Sequence, residues 1–386
     1  MDESPLDALP SELLEVVLAL SSEYRPALAV VCRACRDSLA AAARLDRLLE
    51  PPKLLKPLSP GRLARRGHLS LLSWEHRRRD TYARRPKWFT AMLTGGARGG
   101  HEAVCLLAKS LGARHYSRML CGAARGGHEA LCVLAKEWGA RDWAAMLGEA
   151  ARGGHESLCV LAKSWGADHP NLMLKEAALG GHEAICVLAK EWGAGDWYEM
   201  LGNAARFGHV HLCVLAKSWG ATNFNVMLCN AARFGHESVC VLARSWGAAD
   251  YNAMLDEAAR YGHEAICVLA KEWGATAFNS MLCTGASSGR RVICVLAKSW
   301  GAKNFNAMLR GATRFGRESL CVLAKEWGAT DFDGMLGEAA RGGHESLCIL
   351  AKSWGATDFA GMRRNVESRN WRIATLAKSW QRNPYL

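Results

Sequence analysis

Apolar residues recur along this chain in two helical rhythms held inside one fixed period. Within residues 142–166, Trp143, Met146, Leu147, Ala150 and Ala151 stand at i, i+3, i+4, i+7 and i+8, the stripe of an amphipathic helix. Asp142 precedes the stripe at the N-cap position, and Gly153-Gly154 follows it, where a left-handed glycine closes a helix. A second stripe, Leu158, Leu161, Ala162 and Trp165, predicts a second helix with those residues on its buried face, closed by Gly166. Asp196, Asp250, Asp331 and Asp358, with Asn223 and Asn304, fill the cap position in other copies. Helices this short cannot bury a stripe alone, so the pattern requires stacked copies that share a continuous core.

The period is 27 residues. Gly-His-Glu at 100–102 returns at 127–129, 154–156, 181–183, 235–237, 262–264 and 343–345, and Gly208-His209-Val210, Gly289-Arg290-Arg291 and Gly316-Arg317-Glu318 hold the same register. Ten copies therefore run without insertion between residues 100 and 355. A weaker copy opens at Gly67-His68, 33 residues before the first strict one, and a worn copy ends at Leu376-Ala377-Lys378-Ser379-Trp380. Such degeneration is expected of terminal repeats, each of which has one face without a neighbour. The expected architecture is an all-α solenoid of stacked helix-turn-helix repeats of about a dozen units, with residues 49–98 a basic linker and degenerate first repeat, 99–360 the regular array and 361–386 a capping repeat.

Composition changes this picture in three places. The net charge is +12 and unevenly spread: residues 1–50 carry five Arg against nine Asp and Glu, whereas 51–100 carry twelve Lys and Arg against Glu75 and Asp80. That basic stretch, with Arg77-Arg78-Arg79 and Arg84-Arg85, reads either as a solvated connecting segment or as a surface for nucleic acid or an acidic partner. Ten of the 15 cysteines form a column from Cys105 to Cys348 at the repeat spacing. Stacked equivalents lie about 8–10 Å apart, beyond the ~7 Å Cα reach of a disulfide, so the column predicts buried thiols and a reducing compartment. No long uncharged apolar run and no basic, apolar secretory start occurs. The expectation is a soluble protein of the cytoplasm or nucleus, in the host cytoplasm if the chain is viral.

Candidate chemistry is sparse. The histidine column (His101 to His263, with His344) cannot converge on one metal ion at repeat spacing, and it reads as turn histidines bonding the backbone of a neighbouring repeat. Cys32-x-x-Cys35 has no partner pair at zinc spacing. A column of Trp from Trp138 to Trp354 is expected in the core, and a Lys column from Lys109 to Lys352 on a solubilising outer face. Neither a phosphate loop nor a His-Glu-x-x-His motif occurs, so neither an enzymatic activity nor a cofactor is expected. Function should sit where copies differ, at the exposed first-helix positions equivalent to 145, 148, 149 and 152 and at the residue after each Arg. These give Lys175, Glu199, Arg206, Phe207, Arg233, Phe234, Asp256, Arg260, Tyr261 and Phe315 as candidate protein-contact residues, because exposed Arg and aromatics are enriched at interfaces. The alternative is that the aromatics pack between repeats.

The phrase Ala-Ala-Arg-Gly-Gly-His-Glu-Ser-Leu-Cys-Val-Leu-Ala-Lys-Ser-Trp-Gly-Ala at 150–167 resembles the ankyrin repeat. The resemblance extends over residues 62–380, but the unit is six residues shorter than the usual 33 and lacks the Thr-Pro-Leu-His start. It is similar to shortened ankyrin-like repeats of large-DNA-virus and protist proteins, which implies a β-finger reduced to a tight loop. Residues 1–48 resemble an F-box, through Leu9, Pro10, Leu13, Leu14 and Val17 and then Val31-Cys32-Arg33-Ala-Cys35-Arg36, with Cys35 where that family has Trp. A helical cap for the solenoid is the other reading of this segment. The resemblance implies docking on a Skp1-type adaptor of a cullin ubiquitin ligase, and hence a monomeric substrate receptor that binds a protein on its repeats. A nucleic-acid-binding helical repeat is the alternative function.

Overall fold

The computed structural model describes residues 59–69, 72, 86–366 and 370–382. The F-box-like segment with Leu9, Pro10, Leu13, Leu14, Val17, Val31 and Cys32 lies outside them, as do Arg77–Arg79 and Arg84-Arg85. The described residues form short α-helices in tandem, with no strand among them. The chain divides into two compact units, Met1–Gly195 and Asp196–Leu386.

In the first unit the described helices are α1 (Pro60–Arg65), α2 (Pro86–Gly99), α3 (Glu102–Ser110), α4 (Tyr116–Gly126), α5 (Glu129–Glu137), α6 (Trp143–Gly153), α7 (Glu156–Ser164), α8 (Pro170–Gly180) and α9 (Glu183–Glu191). In the second they are α10 (Trp197–Phe207), α11 (Val210–Ser218), α12 (Phe224–Phe234), α13 (Glu237–Ser245), α14 (Tyr251–Tyr261), α15 (Glu264–Glu272), α16 (Phe278–Ser287), α17 (Arg291–Ser299), α18 (Phe305–Arg314), α19 (Glu318–Glu326), α20 (Phe332–Gly342), α21 (Glu345–Ser353), α22 (Phe359–Asn365) and α23 (Trp371–Arg382). Each copy is a helix pair, as the double rhythm predicts.

The caps form as their residues dictate. The Asp142 carboxylate accepts the Ala145 N–H at 3.0 Å, and Asp196, Asn223, Asp250, Asn304, Asp331 and Asp358 cap their own helices in the same way. At the other end Gly154 is left-handed, and the His155 N–H returns to the Ala150 carbonyl at 3.0 Å, closing the orphan carbonyls in a Schellman turn.

Met146, Leu147, Ala150 and Ala151 are fully buried, and burial of each Met or Leu contributes about 1.5–3 kcal/mol. The second-helix face departs from the sequence expectation. Leu158, Cys159 and Ala162 are buried, whereas Leu161 and Trp165 are half-buried. The reason lies in the neighbours. Within each unit, first helices rich in Ala pack closely on the first helices of adjoining copies, while adjoining second helices meet at few points. The rim of the second helix therefore stays open, and only long side chains bridge it.

An asparagine column binds the turns between copies. The Asn252 side-chain oxygen accepts the N–H groups of Thr276 and Ala277 at 2.9 and 3.0 Å. Asn225, Asn279, Asn306 and Asp333 do the same for the next turns in the second unit. Asn252→Ala should cost about 1 kcal/mol, since each net hydrogen bond contributes roughly 0.5–1.5 kcal/mol and water replaces part of the loss at this exposed turn. Hydrogen exchange would show it as lost protection confined to the amides of Thr276 and Ala277. Unchanged protection there would rule the clamp out.

Candidate protein-interaction surface

The end of each first helix carries the variable chemistry. In the second unit α10 ends on Arg206-Phe207, α12 on Arg233-Phe234 and α14 on Arg260-Tyr261. The structure brings these residues into one strip. The Arg206 guanidinium carbon lies 5.5 Å from the Phe207 ring and 4.9 Å from the Phe234 ring. Phe234 stacks on Tyr261 with ring centroids 6.3 Å apart. Arg233 lies 6.0 Å from the Tyr261 ring and grips Glu257 through two hydrogen bonds of 2.8 and 3.0 Å. That pairing raises the Arg233 pKa and holds the Glu257 carboxyl below its ordinary value.

The aromatics thus pack between copies without being buried by them. They stack along neighbouring copies, yet Phe207 and Tyr261 each remain 42% exposed and Phe234 37%. Burial against a partner is still open to them, and the stacking restricts their rotamers in advance.

The other predicted contact residues are less uniform. Arg260 and Phe315 are exposed and border a hollow with Cys283, Thr284, Ser287 and Ser288. Asp256 is half-buried and accepts the hydroxyls of Ser280 and Thr284 at 2.8 and 3.1 Å. Glu199 sits half-buried in the first turn of α10. Lys175 lies half-buried in the first unit. The four positions read as exposed on the first helix are more enclosed than expected: Gly148 is buried and Ala145, Glu149 and Arg152 are half-buried. Close first-helix packing is the cause, and it ties Arg125 to Glu149 at 3.2 Å and brings Arg152 within 3.6 Å of Glu176. Burial still pushes the Glu176 carboxyl up, and Arg152 offsets this only in part.

The columns resolve into inter-repeat contacts. Each column histidine seen bonded donates from Nε2 to the carbonyl of the Arg that ends the preceding first helix, as His155 does to Arg125 at 3.3 Å and His263 to Arg233 at 3.0 Å. A carbonyl only accepts, so Nε2 carries the proton. No group of three or more His, Cys, Asp or Glu that could hold a metal occurs among the described residues. The Trp column is not core, and the Lys column is not simply a solvated face. Lys136 Nζ stands 4.2 Å from the Trp165 ring centre, and Lys217 stands 4.4 Å from that of Trp246. Where a first helix opens on an aromatic, the Trp of that copy meets it edge-on, as Trp143 meets Trp165 at 5.1 Å and Phe224 meets Trp246 at 5.3 Å, whereas Trp192 has Pro170 in that place. These cation–π contacts bridge the open rim between second helices.

Two features escaped a reading that looked only where copies differ. The Asn column is one. The other is a row of exposed aliphatics on the outer face of the second helices, with Val160 50% and Val241 51% exposed. Both recur at the repeat spacing, so the signal was periodic and present in the sequence. No described helix is long and apolar enough to cross a membrane. Neither a family model nor a curated protein matches the chain.

Proposed function

We propose that this chain is an ankyrin-like, finger-poor repeat adaptor that binds a protein on the Arg–aromatic strip of its second unit. On this reading its F-box-like N-terminal segment docks a Skp1-type adaptor and delivers the bound protein to a cullin ubiquitin ligase. One observation carries the binding half: Arg206, Phe207, Phe234 and Tyr261 form a stacked, partly exposed strip across successive copies. Rigid aromatic and Arg side chains of this kind supply most interface energy when a partner covers them. The helix-to-helix turns without strands support the ankyrin-like reading with a reduced finger.

Two experiments test the halves separately. Phe207→Ala/Phe234→Ala/Tyr261→Ala should keep the wild-type melting temperature yet lose, by tenfold or more, the proteins that co-purify specifically with the full chain. Retention of every such protein would sink the strip. The purified full chain should coelute with a purified Skp1-type adaptor, and a Leu9→Asp/Pro10→Ala variant should not. Separate elution of the wild-type chain removes the ligase role.

A further inference from the structure

Arg125 and Arg152 of the arginine column each face a carboxylate, whereas no ion pair among the described residues reaches Arg65 or Arg98. Arg65, Arg98, Arg125 and Arg152 hold the same place at the end of successive first helices. Arg125 faces Glu149 and Arg152 faces Glu176. The positions that would serve Arg65 and Arg98 are Gly95 and Gly122. Both glycines are required by packing: a Cβ on Gly122 would lie 2.6 Å from the Thr94 carbonyl oxygen, and one on Gly95 would overlap the Gly61 carbonyl. The close approach of α1, α2 and α4 therefore excludes an acidic side chain where the next copies carry one.

A hollow of about 650 Å³ opens over this region. Arg62, Arg65, Lys87, Arg98 and Arg118 line it, drawn from all three first helices, and no Asp or Glu is among the described residues that do. Arg98 is half-buried, and its pKa is lowered by burial and then by the charges of Arg125 and Arg65. Arg125 and Arg65 thus repel the Arg98 charge, and a bound anion would offset that repulsion.

We propose that this hollow is a binding site for a compact anion bearing two or more phosphate groups. Several cations converge on one cavity of ligand size. A nucleic-acid track would instead need the basic row to continue along the copies, and Glu149 and Glu176 neutralise it there. Arg forks and Lys point charges suit phosphate oxygens at short, charge-assisted distances.

The test uses the full chain and inorganic tripolyphosphate as probe, with orthophosphate and a single-stranded RNA oligonucleotide as separate arms, each followed by calorimetry. Tripolyphosphate should bind one per chain, more tightly than orthophosphate, with affinity that weakens as salt rises. Arg65→Gln/Arg118→Gln, two exposed positions, should weaken it tenfold or more, while Arg341→Gln in the second unit leaves it unchanged. Melting curves of the variants in the absence of probe confirm that they fold. Absence of tripolyphosphate binding at low salt, equal binding by Arg65→Gln/Arg118→Gln, or RNA binding that tripolyphosphate does not displace would each overturn the site.

Discussion

Raising the pH above 9 should unfold the Asp196–Leu386 unit in a transition set by its buried thiols. Cys213, Cys240, Cys267, Cys294 and Cys348 are fully buried, and burial pushes each thiol from its ordinary 9.0 to about 12. The folded state therefore resists a proton loss that the unfolded chain undergoes freely. The stabilisation is fully present below pH 9 and is lost between 9 and about 12. Each such thiol contributes a slope of about 1.4 kcal/mol per pH unit in that window. Five together give roughly 7 kcal/mol per unit, against a typical domain stability of about 5–15 kcal/mol. Unfolding within about two units above pH 9 is the consequence.

Other groups change charge at alkaline pH as well, so the slope rather than the midpoint identifies the cause. Urea unfolding measured from pH 8.5 to 10 gives that slope directly. Cys240→Ala should reduce the mean slope over that range by about 0.8 kcal/mol per unit, because the unfolded thiol is only partly ionised near pH 9, whatever it costs at neutral pH. An unchanged slope would assign the alkaline transition to other groups.

Gly154→Ala should destabilise the first unit by about 2–4 kcal/mol, while Gly166→Ala should cost only about 1–2 kcal/mol. Both glycines are left-handed, at φ 84° and 104°, so an L side chain pays the backbone penalty at either place. They differ in what a Cβ would touch. At Gly154 it would lie 2.6 Å from the His182 ring of the next copy, whereas at Gly166 nothing lies within 4 Å. Displacing that ring also breaks its 3.2 Å bond to the Arg152 carbonyl. The difference between the two variants in urea melts thus measures the His–carbonyl contact between copies. Equal losses would show that the histidine column contributes nothing beyond filling a turn.

The strip and the anion site were not equally visible beforehand. Phe207, Phe234 and Tyr261 stand out because they interrupt a glycine column, so their candidacy follows from a linear comparison of copies. Arg65, Arg98 and Arg118 do not stand out, since arginines recur in this array. Their significance depends on Gly95 and Gly122 occupying the place of Glu149, which a 33-residue first spacing conceals.

The sequence by itself determined the local elements and their phase. Asp142, the Met146-Leu147 and Ala150-Ala151 pairs and Gly154 act on their own helix within a turn or two, so their roles follow from spacing alone. The same holds for the column histidine: a recurring turn residue beside the cap has few bonds to make other than to the adjoining copy. Only the tertiary structure decided how far neighbouring copies approach. Small first-helix residues let those helices close up, which enclosed Gly148 and paired Arg125 with Glu149. The second helices stayed apart, which left Trp165 half-buried under Lys136 instead of in the core. That difference in spacing arises between copies, and a repeat pattern gives the order of its copies without the distance between them.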